Sequence, residues 1–289
     1  MREGIKKIIE RTQALPASAG TLADLSRLLR SENTGVNDIE RVIRPDISLT
    51  ANLLRLANSA YFGLRRKVTS VRQAIALLGS DRVFELASSA WFCSVLPERI
   101  PGYDVSAKSL WIHSVAVGVL CEQLAAAAHC PSPDFAFTAG LMHDVGKLVI
   151  GTLLVDKIDG VLVDIHQNNR SFIEAEHRAL GMDHAEVGEI LCDMWGLPPN
   201  LVWAAGCHHA PNTAPPGADQ SLIDLIHLAD GLAHSLGFGY DVGELARSVD
   251  GNALDRLLIT SNAVDRAVND SVLNQIWEMG DLVPGSITC

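Results

Sequence analysis

Residues 141–150 read Leu-Met-His-Asp-Val-Gly-Lys-Leu-Val-Ile, and the pair His143-Asp144 stands inside an otherwise apolar run of helical character. An ionised carboxylate in such surroundings must find a cation or strong donors, because leaving water without a partner is costly. A divalent metal is one solution. Neutral imidazole and carboxylate suit first-row ions, and neighbouring His and Asp side chains can reach one ion or let the aspartate bridge two. For an isolated pair the plainer reading, a satisfied core histidine beside a helix-capping aspartate, would be the better one.

The pair has company. His113 precedes it, His184 follows it, His208-His209 comes later still, and Asp230 closes the series. Each sits among apolar neighbours, as in Trp111-Ile112-His113, Ala204-Ala205-Gly206-Cys207-His208-His209 and Leu228-Ala229-Asp230. Helices from separate parts of a bundle can aim such side chains at one interior point. His227, three residues before Asp230 on the same helical face, reads as a supporting residue. His129, His166, His177 and His234 fit no such series and read as surface or local structural residues.

Outward from this series the chain keeps a helical period. Apolar residues recur at Leu22, Leu25, Leu28 and Leu29, and again at Leu49, Leu53, Leu54, Leu56 and Ala57, while sustained alternation is absent; the fold class this predicts is all-α. Asn37 with Glu40, and Ser171 with Glu174, have the spacing of capping boxes. Gly79-Ser80 reads as one helix ending and another beginning. Pro-Glu-Arg-Ile-Pro-Gly-Tyr-Asp at 97–104 concentrates breakers and is the best internal boundary. Residues 1–100 are therefore expected to form an N-terminal helical subdomain, 101–235 a helical core with the ligand series, and 236–289 a helical tail. In that tail Leu257, Leu258, Ile259, Val264 and Ala267 are the expected packing positions.

Hydrophobic residues make up 48% of the 289, enough for a substantial core and incompatible with disorder. The most apolar run, Leu110 to Cys130, is interrupted by His113, Glu122 and Gln123, so it reads as a buried helix rather than a membrane span. The first residues, Met-Arg-Glu-Gly-Ile-Lys-Lys, lack the apolar segment of a secretory signal, and cytoplasmic residence is the expectation. Cysteines 93, 121, 130, 192, 207 and 289 include no Cys-x-x-Cys pair, and no disulfide is expected. The net charge of −11 divides into +5 over residues 1–100 and −16 over 101–289. An acidic second part repels polyanions and attracts divalent cations, which argues against nucleic acid as a partner. Arg65, Arg66 and Lys67 read as a solvated turn, or as a site for an acidic partner.

The order His…His-Asp…His…His-His…Asp resembles the HD superfamily of metal-dependent phosphohydrolases, and His-Asp-x-Gly-Lys with a later His-His pair is nearest to its HD-GYP branch. The first hundred residues resemble the HDOD domain: Leu15-Pro16, Ile-Arg-Pro-Asp-Ile-Ser-Leu-Thr at 43–50, Leu-Arg-Leu-Ala-Asn-Ser-Ala-Tyr-Phe-Gly at 54–63, and Val-Arg-Gln-Ala-Ile-Ala-Leu-Leu-Gly at 71–79. The resemblance covers about residues 10–235 and implies a multi-helix HD-type bundle. It also implies that His113, His143, Asp144 and Asp230 hold one ion and that His184, His208 and His209 hold a second, with Asp144 bridging. Lys147 would face a phosphate, making Lys147 and Asp144 the candidates for catalysis. No Gly-Tyr-Pro signature follows the His pair, where Ala210-Pro-Asn-Thr213 stands instead, and Ser109 occupies the place of a glutamate that some relatives use for a third ion. Asn58, Ser59 and Tyr61 are read as closing a helix.

Two functions stand side by side. One is a non-enzymatic signalling module that binds iron, manganese or zinc, as one or two ions, and acts through a regulatory protein or a nucleotide-type ligand, in a form compatible with oligomers and without membrane or nucleic acid. The other is a metal-dependent phosphohydrolase acting on a nucleotide or cyclic dinucleotide. The HDOD resemblance favours the first.

Overall fold

The structure is a computed structural model and describes residues 2–11, 19–29, 31, 34–128, 135–239 and 250–282. Leu15-Pro16, His129, Cys130 and Cys289 lie outside the described residues. The N-terminal helices are α1 (Arg2–Arg11), α2 (Ala19–Leu29), α3 (Val36–Ile43), α4 (Ile47–Ala57) and α5 (Val71–Val95). A short antiparallel ribbon, β1 (Arg99–Ile100) with β2 (Val105–Ser106), leads to α6 (Ala107–Ala127), α7 (Ala136–Met142), α8 (Lys147–Leu154), α9 (Ile158–Asn168) and α10 (Phe172–Leu180). Then follow α11 (His184–Met194), α12 (Pro199–Cys207), α13 (Gln220–Ser235), α14 (Gly251–Leu257), α15 (Ser261–Ala267) and α16 (Asp270–Gly280). The fold is all-α, as the periodicity predicts.

Local chemistry sets the helix ends. Ser171 and Glu174 form the expected capping box at α10. The pair Asn37–Glu40 does not cap α3: Gly35 is the N-cap and Asp38 accepts its N–H, so Asn37 falls inside the helix. Asn37 and Glu40 instead accept from Arg72 at 2.5 and 2.7 Å, tying α3 to α5. Gly79, at φ 79°, breaks α5 into two helical halves where the sequence places the break. Asn58 ends α4 as read, its amide bridging Leu54 and Val68. Arg65, Arg66 and Lys67 are exposed in the turn before α5.

The stretch 97–104 is a packed ribbon rather than a loose linker. Ile100, Gly102 and Tyr103 are buried, and a Cβ on Gly102 would lie 2.3 Å from the Gly151 oxygen of α8. The Tyr103 hydroxyl donates to Glu176 of α10.

Helix α6 runs through the core. Its length and apolarity would suit a membrane span, yet most of it is covered by protein. It crosses α7 closely: a Cβ on Gly140 would sit 2.8 Å from Gly118. The tail packs on α6, with Trp111 Nε1 donating to the Met279 carbonyl at 2.8 Å and the Trp277 ring against Phe238. Leu257, Ile259 and Ala267 are buried as expected. Leu258 is not: it takes the left-handed conformation that ends α14 and is 85% exposed.

Candidate metal centre

Five helices bring the histidine–aspartate series to one interior point. His113 comes from α6, His143 and Asp144 from the turn closing α7, His184 from the first position of α11, His208 and His209 from the end of α12, and Asp230 from α13. His113, His143, Asp144, His184, His208 and Asp230 are all buried, and His209 is half-buried. Two local devices place them. Asp183 caps α11 in a reciprocal box with Glu186, which fixes His184 at the helix start. Gly146 lets that start approach the His143-Asp144 turn, since a Cβ there would lie 1.9 Å from the His184 oxygen.

The imidazoles are oriented by what their outer nitrogens bind. His143 Nδ1 lies 2.6 Å from the Gly140 carbonyl, His208 Nδ1 2.8 Å from the Ala205 carbonyl, and His113 Nδ1 3.2 Å from the Phe238 carbonyl. A carbonyl only accepts, so each Nδ1 carries the hydrogen and each Nε2 turns a lone pair inward. His184 Nδ1 is held by the Glu176 carboxylate at 2.8 Å. Inside, Nε2 of His143 and of His208 has no hydrogen-bond partner. The same outward anchoring of imidazole is the usual support of a metal-ligating histidine.

The carboxylates face these nitrogens. Asp144 Oδ2 is 3.5 Å from His143 Nε2 and 3.7 Å from His113 Nε2, while Oδ1 is 3.4 Å from His184 Nε2 and 3.7 Å from His208 Nε2. Asp144 thus stands between two groups of imidazoles. Asp230 is 3.2 Å from His113 Nε2 and 3.8 Å from His143 Nε2. Asp144, His184, His208 and His209 form one compact donor set, and His113, His143 and Asp144 another. These buried clusters could hold a metal ion.

Electrostatics favour cation capture. Burial pushes His143 down to about 3, so at neutral pH its imidazole is uncharged and available as a ligand. Burial works against ionisation of Asp144, but the His143 ring and the Lys147 ammonium, 2.8 Å away, hold its carboxyl well below the usual range. For His184 burial is outweighed by Glu176, which raises the imidazole above its ordinary value. Lys147 is buried as well, with its ammonium 5.8 Å above the Tyr103 ring. Burial pushes the Cys192 thiol up to about 12 and raises Cys121 and Cys207 too. With those thiols protonated the donors are nitrogen and oxygen, which suits a first-row divalent ion.

His234 departs from its reading as a surface or local residue. It stands one turn after Asp230 on α13, its Nε2 3.5 Å from the carboxylate and its ring 4.7 Å from that of His113. Glu176, fully buried, is a second residue that sequence reasoning missed. His227 supports the site from behind: its Nδ1 lies 2.7 Å from the His208 carbonyl, and its Nε2 accepts from the Asp250 N–H at 2.8 Å. Ser109 belongs to the start of α6, where it pairs with Ser106. His166 and His177 are exposed, as read.

The HDOD domain profile matches residues 15–211. An uncharacterized protein of Treponema pallidum is 25% identical over 213 residues, an alignment that takes in 72% of this chain; the chain spans 40% of that curated relative's length. Among solved structures, an HDOD domain protein of unknown function from Geobacter sulfurreducens superposes with a TM-score of 0.75 at 20% identity, covering 96% of this chain and 97% of that one. A Shewanella amazonensis protein provisionally named a phosphohydrolase gives 0.73 at 21% identity, with coverage of 96% and 97%. A Marinobacter aquaeolei protein provisionally named a signal transduction protein gives 0.74 at 23%, with coverage of 95% and 61%. These likenesses are of fold.

Proposed function

This chain belongs to the HDOD domain family, and from that premise we propose that it is a signalling or regulatory module whose buried histidine–aspartate centre holds one or two divalent ions. Its output, on this reading, is the binding of a regulatory protein or nucleotide-type ligand in the cytoplasm, without turnover. The observation that carries the metal assignment is the convergence of inward-facing Nε2 atoms on Asp144 and Asp230, with each matching Nδ1 anchored outward.

His113, His143, Asp144 and Asp230 would hold one ion, and His184, His208 and His209 the other, Asp144 serving both. Iron, manganese and zinc fit this donor set. A bound ion supplies concentrated positive charge that binds an anionic oxygen and offsets the acidity of residues 101–289. The burial of the donors supports binding over turnover, since six of the seven are shielded from solvent.

A second reading, a metal-dependent phosphohydrolase acting on a nucleotide or cyclic dinucleotide, is favoured by one arrangement. Lys147 stands beside Asp144, while His209, in one donor group, and His234, beside Asp230 in another, are half-buried where the other donors are buried. In that reading Asp144 holds the ions and Lys147 shares its charge with a substrate phosphate.

Elemental analysis of protein purified without affinity tag or chelator, beside a His208→Ala/His209→Ala variant, tests the proposal. Near-stoichiometric iron, manganese or zinc that falls in the variant supports the centre; a metal-free, folded wild type that takes up none of these ions on addition refutes it. Turnover of a phosphoester that is lost in His143→Ala would move the assignment to the second reading.

A further inference from the structure

His234 stands at the edge of the centre, outside both ligand sets. It projects from α13 one turn after Asp230, so the two side chains share a helical face. Its Nε2 is 3.5 Å from Asp230 Oδ1, and His113 Nε2 is 3.2 Å from that same oxygen. The donor atoms of His113, Asp230 and His234 all lie within 4.8 Å of one another. Donors bonded to one ion at about 2.1 Å, with angles of about 90–110° between them, stand roughly 3.0–3.4 Å apart. Both separations from Asp230 are close to that range, whereas 3.5 Å is long for a hydrogen bond that would hold an imidazole in place.

One short segment sets both rings. The Phe238 carbonyl accepts from His113 Nδ1 at 3.2 Å, which leaves the Nε2 lone pair turned toward Asp230. The next residue, Gly239, passes so close to His234 that a Cβ there would lie 2.0 Å from Nδ1. The turn after α13 thus orients one imidazole with its carbonyl and makes room for the other by lacking a side chain. An imidazole lone pair facing an ionised carboxylate sets two acceptors against each other, and a cation between them relieves this.

We propose that His234 is itself a metal ligand, its Nε2 joining His113 Nε2 and Asp230 Oδ1 around one divalent ion; this rests on the reading that the buried centre holds metal. The three donors are nitrogen and oxygen, as a first-row ion requires. His234 is half-buried where His113 and Asp230 are buried, so of the three it lies nearest to solvent.

Cobalt(II) titrated into the metal-free full chain tests this, followed by visible absorption and by proton NMR, in which each cobalt-bound imidazole contributes strongly shifted ring signals. In His234→Gln the affinity falls about tenfold or more, and the shifted signals of one imidazole are lost. His234→Ala behaves in the same way, and either variant suffices, since the side chain it replaces is only half-buried. His166→Gln, on the exposed face of α9, changes neither readout. A wild type that binds no cobalt refutes the metal centre as a whole. Binding by the wild type with affinity and signals unchanged in the variants overturns this proposal alone and leaves the seven-donor centre standing. Weakened affinity with every shifted signal retained also overturns it, making His234 a support for Asp230 rather than a ligand.

Discussion

The Nε2 atoms of His184 and His209 lie 2.8 Å apart. Two imidazole nitrogens at that separation must share a proton, since two lone pairs repel. Glu176, which raises the basicity of His184, helps to keep the proton there. An ion that takes both nitrogens has to expel it. Calorimetry of zinc or manganese uptake in buffers of different ionisation enthalpy should therefore register release of about one proton at the site served by His209, and affinity that rises with pH. In Glu176→Gln, where His184 loses the carboxylate that raises it, that release falls; a release unchanged in this variant would contradict the arrangement.

Gly146→Ala is expected to damage the site without touching a ligand. The new methyl would meet the His184 carbonyl oxygen, and the Gly188 nitrogen lies close by, so α11 must withdraw from the His143-Asp144 turn. Overpacking of this kind costs about 1–3 kcal/mol. Denaturant unfolding should show that loss, with metal content falling in the same variant. Gly160→Ala, where an added Cβ meets nothing within 4 Å on the exposed face of α9, is the control and should leave metal content unchanged and stability equal or raised by about 0.5–1 kcal/mol.

Acid should destabilise the metal-free protein through His143. Its folded value near 3 lies below the unfolded value of about 6.5. Between those limits the unfolded chain binds more protons, so stability is full above pH 6.5 and is lost as pH falls toward 3. The loss attributable to this residue is on the order of 5 kcal/mol. Asp144, held low, adds to it in the same direction. Glu85 acts oppositely: raised to about 7, it favours the folded state most at acid pH and loses that contribution as pH climbs from about 4.5 to 7. Chemical denaturation at stepped pH should show a steeper acid limb in wild type than in His143→Gln; equal slopes would remove His143 as the cause.

Much of this arrangement is legible in the sequence. Histidines and aspartates inside apolar helical runs announce themselves, because burial without a partner is expensive, and the seven residues chosen on that ground do converge. His234 was legible too, one turn beyond Asp230 and among the apolar Leu232, Ala233 and Leu236, but no motif of the histidine–aspartate series extends to it. Glu176 carried no signal: an acidic residue within an amphipathic helix looks solvated until the fold shows α10 turned toward His184. The Asn37–Glu40 spacing misled because Gly35, with no side chain to announce a cap, starts the helix two residues earlier. The ribbon at 97–106 was hidden for a similar reason, since its Pro and Gly signal a break without showing that the break packs against α8 and α10.

The helices that supply the cluster span the chain from residue 113 to residue 230, and this fixes an order of events during synthesis. The first donors leave the ribosome long before Asp230 exists, and the tail that anchors His113 and Trp111 comes later still. Contacts so distant in sequence close late and cost loop entropy before they repay it. His113, His143 and Asp144 wait on the nascent chain, and the centre is completed only after Asp230 and Phe238 have followed them.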